Sequence, residues 1–118
     1  MKIIVQNLAV EYQDEGAGKI VLFLHGWHDN LHTFDSLVSL LSPTLRIIRL
    51  DLPGFGNSET PKEAWDLDHY VRFVEDFTRK LNIQVDALVG HSFGGRITIK
   101  GEAAENLHAQ KIVLIGSA

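Results

Sequence analysis

The stretch Val89-Gly90-His91-Ser92-Phe93-Gly94-Gly95 decides the fold. It follows a short predicted strand over residues 85–89 and precedes a segment, residues 93–107, that reads as helix. The pattern G-x-S-x-G therefore falls between a strand and a helix, which is the setting it requires. Its glycines allow a strand-to-helix turn too sharp for side chains to crowd Ser92, and such a turn leaves the serine hydroxyl exposed above the sheet. Ser92 is the candidate nucleophile. Phe93 would open the helix, where unpaired N–H groups and the helix dipole favour a developing oxyanion, so its amide is one candidate donor. A phosphate-binding or purely structural Gly-rich turn is the competing reading, although the lysine of a P-loop is absent.

Working outward, the chain alternates strands and helices. Residues 2–6 and 8–13 read as extended, with Leu8, Val10 and Tyr12 alternating against Ala9, Glu11 and Gln13. Ile20-Val21-Leu22-Phe23-Leu24 is apolar at every position, as expected of a parallel strand covered on both faces, and it stops at His25-Gly26-Trp27. That loop would lie at the carboxyl end of a strand neighbouring the serine turn, which makes the Trp27 amide the second candidate oxyanion donor. His25 reads as a residue that ties the loop by hydrogen bonds. Leu31, Phe34, Leu37, Val38 and Leu41 predict one amphipathic helix that ends before Pro43. Residues 45–50 form another apolar run, and Asp51-Leu52-Pro53-Gly54-Phe55-Gly56-Asn57-Ser58 reads as a turning loop. Asp66 is a predicted cap for a helix whose buried face carries Leu67, Tyr70, Val71, Val74, Phe77 and Leu81. Residues 111–115 form the last strand. Strands alternating with helices of this length predict βαβ units, a mostly parallel twisted sheet and helices on both faces.

Composition narrows the function classes. One domain fits in 118 residues. Eleven Lys and Arg against fifteen Asp and Glu give a net charge of −4, which offers no footprint for nucleic acid or an anionic membrane surface. The absence of cysteine excludes a disulfide framework, a thiolate nucleophile and a Cys-based metal site. With no signal peptide and no apolar stretch near the ~20 residues of a membrane span, a cytoplasmic location is expected.

The three linked segments, His25-Gly26-Trp27, the 51–58 loop and Gly90-His91-Ser92-Phe93-Gly94-Gly95, resemble in order and spacing the amino-terminal portion of α/β-hydrolase-fold enzymes, the group that includes small esterases and other serine hydrolases. The resemblance covers essentially the whole chain. It implies a three-layer α/β/α fold over residues 1–118, with these strands as the family's first six. It further implies Ser92 as nucleophile, Trp27 and Phe93 as oxyanion amides, Asp51 and Ser58 in a structural loop, an ester or related acyl substrate, and neither metal nor cofactor. The family continues with a lid, further strands, an acid and a general-base histidine, so the expectation is a truncated, nucleophile-bearing half, inactive alone. After Ser92 there is no aspartate, only Glu102, Glu105 and His108. A continuous helix rising ~1.5 Å per residue would carry His108 roughly 20 Å from Ser92, beyond hydrogen-bond reach. His28 and His32, with Asp29 adjacent, are nearer but read as exposed residues of the loop and helix start.

Two other readings compete with an acyl hydrolase. One is a non-catalytic, self-associating half-fold; the other is a nucleotide or phosphate binder that uses the serine turn as an anion loop. The self-associating reading rests on the 111–115 strand, which the family pairs on both edges. Its uncovered edge predicts a homo-oligomer, with Ala118 near the interface, or a missing carboxyl-terminal half.

Overall fold

Among the described residues six stretches form strands: β1 (Lys2–Val5), β2 (Leu8–Glu15), β3 (Lys19–Leu24), β4 (Leu45–Leu50), β5 (Ala87–His91) and β6 (Lys111–Ile115). The computed structural model describes residues 1–41 and 43–116; Ala118 lies outside them. The strands make one sheet in the order β1-β2-β4-β3-β5-β6. β1 and β2 pair antiparallel, as do β2 and β4, whereas β4, β3, β5 and β6 run parallel. Parallel neighbours cannot be joined by hairpins, and the helical crossovers between them cover both faces of the sheet.

On one face lie α2 (Leu67–Leu81) and α3 (Phe93–Ala103). Asp66 caps α2 as the sequence predicts: its Oδ1 accepts from the His69 amide at 3.0 Å. Tyr70, Val71, Phe73, Val74 and Phe77 of α2 enter a core with Leu22, Leu24, Ile48, Leu50, Leu88 and Ile97. Phe73 was not on the predicted apolar face; the buried stripe is wider than the i, i+3, i+4 pattern drawn through Tyr70 and Val74. On the other face, Phe34 closes a smaller core with Val21, Phe23, Ile47 and Val89. The layers are α/β/α, the three-layer architecture expected.

Two predicted helices differ in extent. The helix expected over residues 31–41 divides into a 3₁₀ turn (Leu31–Phe34) and a short α1 (Asp35–Ser39). The Asn30 side chain accepts from the His32 amide and opens a tight turn, in which Leu31 and Phe34, three apart, are buried together. That i, i+3 alignment is what a 3₁₀ turn supplies. α3 ends at Ala103 rather than near Leu107, because Glu105 takes a φ of 63° and the amides of Asn106 and Leu107 turn back to the Gly101 carbonyl. Strand β5 begins two residues later than predicted and runs through His91. Val85 is buried all the same, and Asp86 Oδ2 accepts the Ile20 amide at 2.8 Å, fastening the segment to β3.

One feature of the second face was not foreseen. Arg49 lies on β4 with its side chain almost fully buried. Its guanidinium donates to Asp35 Oδ1 at 2.6 Å, the Leu31 carbonyl at 3.1 Å, Gln13 Oε1 at 2.6 Å and Glu15 Oε1 at 3.1 Å. It thereby joins β2, β4 and the turn before α1. Held by that guanidinium and by His32, the Asp35 carboxyl sits below the ordinary aspartate value.

Candidate active site

The register of the parallel strands sets the site. Leu24 is paired with Gly90 and His91 with Ile115, so β3, β5 and β6 end level, and the loops that follow them emerge side by side. Between β5 and α3 the chain turns at Ser92, with φ 53° and ψ −112°. A positive φ on a residue with a side chain costs about 1–3 kcal/mol and persists only where the surroundings impose it. Here they do. The Ser92 amide donates to the Ile115 carbonyl at 3.1 Å, and the Ser92 carbonyl accepts from Gly95 at 3.0 Å and Arg96 at 3.2 Å.

Two glycines make room for the turn. A Cβ on Gly90 would fall 2.6 Å from the Gly94 oxygen and 2.6 Å from the Gly95 Cα. One on Gly94 would overlap the Leu24 carbonyl and come within 2.8 Å of the His25 oxygen. α3 thus lies directly on the end of β3, and its amino terminus is pressed against the His25-Gly26-Trp27 loop. A Cβ on Gly26 would be 3.2 Å from that of Ser92, so the loop runs alongside the serine. The Trp27 and Phe93 rings meet edge to face with centroids 5.2 Å apart. Ser92, Trp27 and Phe93 are therefore neighbours, and the Phe93 amide is at the start of α3, where helical N–H groups have no intrahelical partner.

The loop beside Ser92 is built on His25, whose ring is fully buried. Its Nδ1 lies 2.7 Å from the Gly26 carbonyl and its Nε2 2.9 Å from the Leu52 amide. The Leu52 N–H can only donate, so Nε2 accepts and the proton is on Nδ1, donated to Gly26. Burial holds this imidazole below the ordinary histidine value, opposed by the Gly26 carbonyl and the Asp51 carboxylate. His25 is a neutral strut between the loops after β3 and β4. Asp51 organises the second of these: Oδ1 accepts from Leu31 at 2.7 Å, Oδ2 from Asn57 at 2.9 Å, and its carbonyl accepts the Ser58 hydroxyl at 2.6 Å.

The remaining histidines do not reach the serine. Among the described residues none hydrogen-bonds Ser92 Oγ. His28, at φ 59°, lies against the edges of Trp27 and Phe55, and His32 Nδ1 is 3.2 Å from Asp35. α3 does not extend to His108, which lines a cleft of about 350 Å³ beside Ile83, Gln84 and Val85. Those residues precede β5, so His108 is at the opposite end of the strands from Ser92, although α3 does not carry it there. His91 Nδ1 is buried without a hydrogen-bond partner. Among the described residues no three His, Asp or Glu side chains cluster as a metal site would, and no helix is long and apolar enough to cross a membrane.

Comparison with known proteins agrees with this architecture. The family model described as alpha/beta hydrolase fold matches residues 19–117. An AB hydrolase superfamily protein of Bacillus subtilis is 31% identical over 115 residues, which is 96% of this chain and 43% of that protein. A probable serine hydrolase of Drosophila melanogaster is 33% identical over 104 residues, or 83% of this chain and 30% of that protein. The solved meta-cleavage product hydrolase from Pseudomonas fluorescens superposes with a TM-score of 0.91 at 25% identity, covering 100% of this chain and 45% of its own. The chain spans less than half the length of each of these relatives. It belongs to the α/β-hydrolase fold family.

Proposed function

We propose that the chain carries the nucleophile of a serine hydrolase acting on esters or related acyl compounds. Ser92 Oγ attacks the carbonyl carbon, and the amides of Trp27 and Phe93 donate to the oxyanion that forms. The intermediate collapses to an acyl-serine as the leaving group departs with a proton, and water then releases the acid. The observation that carries this reading is the positive φ of Ser92 at the strand-to-helix junction, directly beside the His25-Gly26-Trp27 loop. The serine hydrolases among the relatives support the chemistry. Neither a metal nor a cofactor is needed. The proton acceptor is a histidine from outside the described residues, so turnover by this chain alone is weak or nil. The oxyanion donors and binding that remain when a base is missing can sustain ~10³–10⁴-fold catalysis over water.

The test is hydrolysis of 4-nitrophenyl acetate with free imidazole added to stand in for the missing base. A rate that rises with imidazole above the buffer reaction in the wild-type chain, and that Ser92→Ala abolishes together with an acetyl adduct on Ser92 seen by mass spectrometry, is expected. A rate identical in Ser92→Ala overturns the assignment.

A second reading is favoured by β6, where Ile112, Val113, Leu114 and Ile115 are all exposed. In it the chain is a self-associating scaffold without turnover. Under either reading β6 is covered by further chain: a second copy pairing through residues 111–115, or a carboxyl-terminal half such as the longer relatives carry. Val113→Lys or Ile115→Lys is then expected to dissociate or unfold the assembly. A monodisperse monomer at micromolar concentration by light scattering rules out the second copy.

A further inference from the structure

A cleft of about 430 Å³ opens between the loop after β3 and residues 54–65, walled by Trp27, Phe55, Pro61, Trp65 and Tyr70. Both tryptophans of the chain and one of its two tyrosines line it. Neighbouring rings stand nearly perpendicular: Trp27 and Phe55 at 4.8 Å and 71°, Trp65 and Tyr70 at 5.1 Å and 78°. Walls set this way offer both faces and edges, and a flat ring entering between them finds stacking and edge contacts together. Trp27 is 53% exposed, apolar surface that such a guest would remove from water.

The cleft adjoins the candidate nucleophile. Phe93, the residue after Ser92, has its ring 5.2 Å from Trp27 and 5.2 Å from Tyr70, so two walls of the cleft rest on the residue whose amide faces the reacting carbonyl. The shape is held from below, because the Tyr70 hydroxyl donates to the Pro53 carbonyl at 2.8 Å and fixes the loop to α2. At the mouth, Lys62 and Glu63 are adjacent and opposite in charge, so the rim has no net sign with which to select an ion. The volume lies in the ~300–1,000 Å³ range of small-molecule sites.

Resting on the reading of Ser92 as acyl-transfer nucleophile, we propose that this cleft is the subsite for an uncharged aromatic ring on the acyl or alcohol side of the ester. A linear alkyl chain cannot present a ring face to Trp27 and Trp65 and is held less well.

The two tryptophans supply a direct readout, since their indole N–H groups give two signals in a ¹⁵N-labelled chain and both belong to the cleft. Benzyl alcohol, which cannot acylate Ser92, is expected to shift both signals saturably, with hexan-1-ol about tenfold weaker. Thr60→Phe, at an exposed position on the cleft wall, fills the space and weakens benzyl alcohol binding by about tenfold while the remaining amide spectrum stays folded. Ser92→Ala leaves the shifts unchanged, so the cleft is tested apart from the nucleophile. Shifts that do not saturate, that are as strong for hexan-1-ol, or that survive Thr60→Phe overturn the subsite. Saturable shifts without any Ser92-dependent ester hydrolysis in the presence of imidazole uphold ring binding and remove the hydrolase reading instead.

Discussion

β5 and β6 are adjacent and parallel, each five residues long, and β6 is the more apolar of the two, yet they meet opposite surroundings. Leu88, Val89 and Gly90 of β5 are buried, while Ile112 through Ile115 of β6 are between 38% and 47% exposed. Paired residues share a face, so Ile112 lies beside Leu88 on the α3 side and Val113 beside Val89 on the side of α1. β5 has β3 on its other edge and α3 crossing from its end. Among the described residues β6 pairs only with β5. Hydropathy sets how much a strand loses by staying wet, and its neighbours decide whether it does.

The largest effect is expected where β5 hands over to α3. Gly94→Val places carbon inside the Leu24 carbonyl, and neither partner is a flexible side chain that could yield. α3 must lift off β3, taking Ile97 out of the main core and releasing the geometry of Ser92. The loss is put at more than ~4 kcal/mol, the range reserved for core overpacking and broken backbone contacts. A variant that retains the wild-type melting temperature would mean that α3 does not rest on β3.

Next comes the direct comparison of the two strands. Leu88→Ala is expected to cost ~2–5 kcal/mol, because a fully buried leucine leaves a cavity. Leu114→Ala on β6, already 44% exposed, removes few contacts and should cost under ~1 kcal/mol in the chain alone. Urea denaturation of the pair checks this. Equal losses would show that β6 is as covered as β5, and hence that another chain lies over it.

What the sequence disclosed follows the same division. The serine turn was legible because Gly90, Ser92 and Gly94 fall in one short contiguous motif between a strand and a helix. The Asp66 cap was legible for the same reason, since its partner is the His69 amide three residues on. Features set by tertiary neighbours were not. The break between the 3₁₀ turn and α1 depends on burying Leu31 and Phe34 together. The Arg49 network depends on register, since Gln13 is its partner across β2 and β4. An arginine inside the apolar run 45–50 was the available signal, and read against the acidic and amide residues of β2 it marks a buried cation needing partners. The cleft of aromatic rings gathers Trp27, Phe55, Trp65 and Tyr70 from distant segments, and no spacing rule unites them.

The third effect concerns the buried end of β3. The His25 value is depressed in the folded chain, so the unfolded chain binds the proton first as pH falls. The stability contributed by neutral His25 is complete above the ordinary histidine value of ~6.5 and is lost as pH drops from there through the folded value. His25→Gln keeps an acceptor for the Leu52 amide but cannot also supply the Gly26 donor in the same geometry. A loss of ~1–3 kcal/mol at neutral pH is expected, together with a flatter stability profile below pH ~6.5. An acid limb as steep as that of the wild type would assign the proton uptake elsewhere.

The smallest effect returns to β6 and asks what covers it. Ile112→Thr keeps a β-branched residue suited to a strand and gives up only apolar area that is 43% exposed in the chain alone. In an unassociated chain it should alter stability by no more than ~0.5 kcal/mol, with an unchanged denaturant slope. If a second copy pairs with β6, folding is linked to association by mass action, and the wild-type melting temperature rises with protein concentration. Ile112→Thr then lowers the melting temperature more at high concentration than at low, because it acts on the interface and hardly on the lone fold. Measurements at two concentrations a hundredfold apart separate the cases. A wild-type melting temperature that does not move with concentration removes the second copy as the cover for β6. A concentration dependence that Ile112→Thr suppresses and Leu40→Thr, at the 83% exposed end of α1, does not, fixes the interface on this strand.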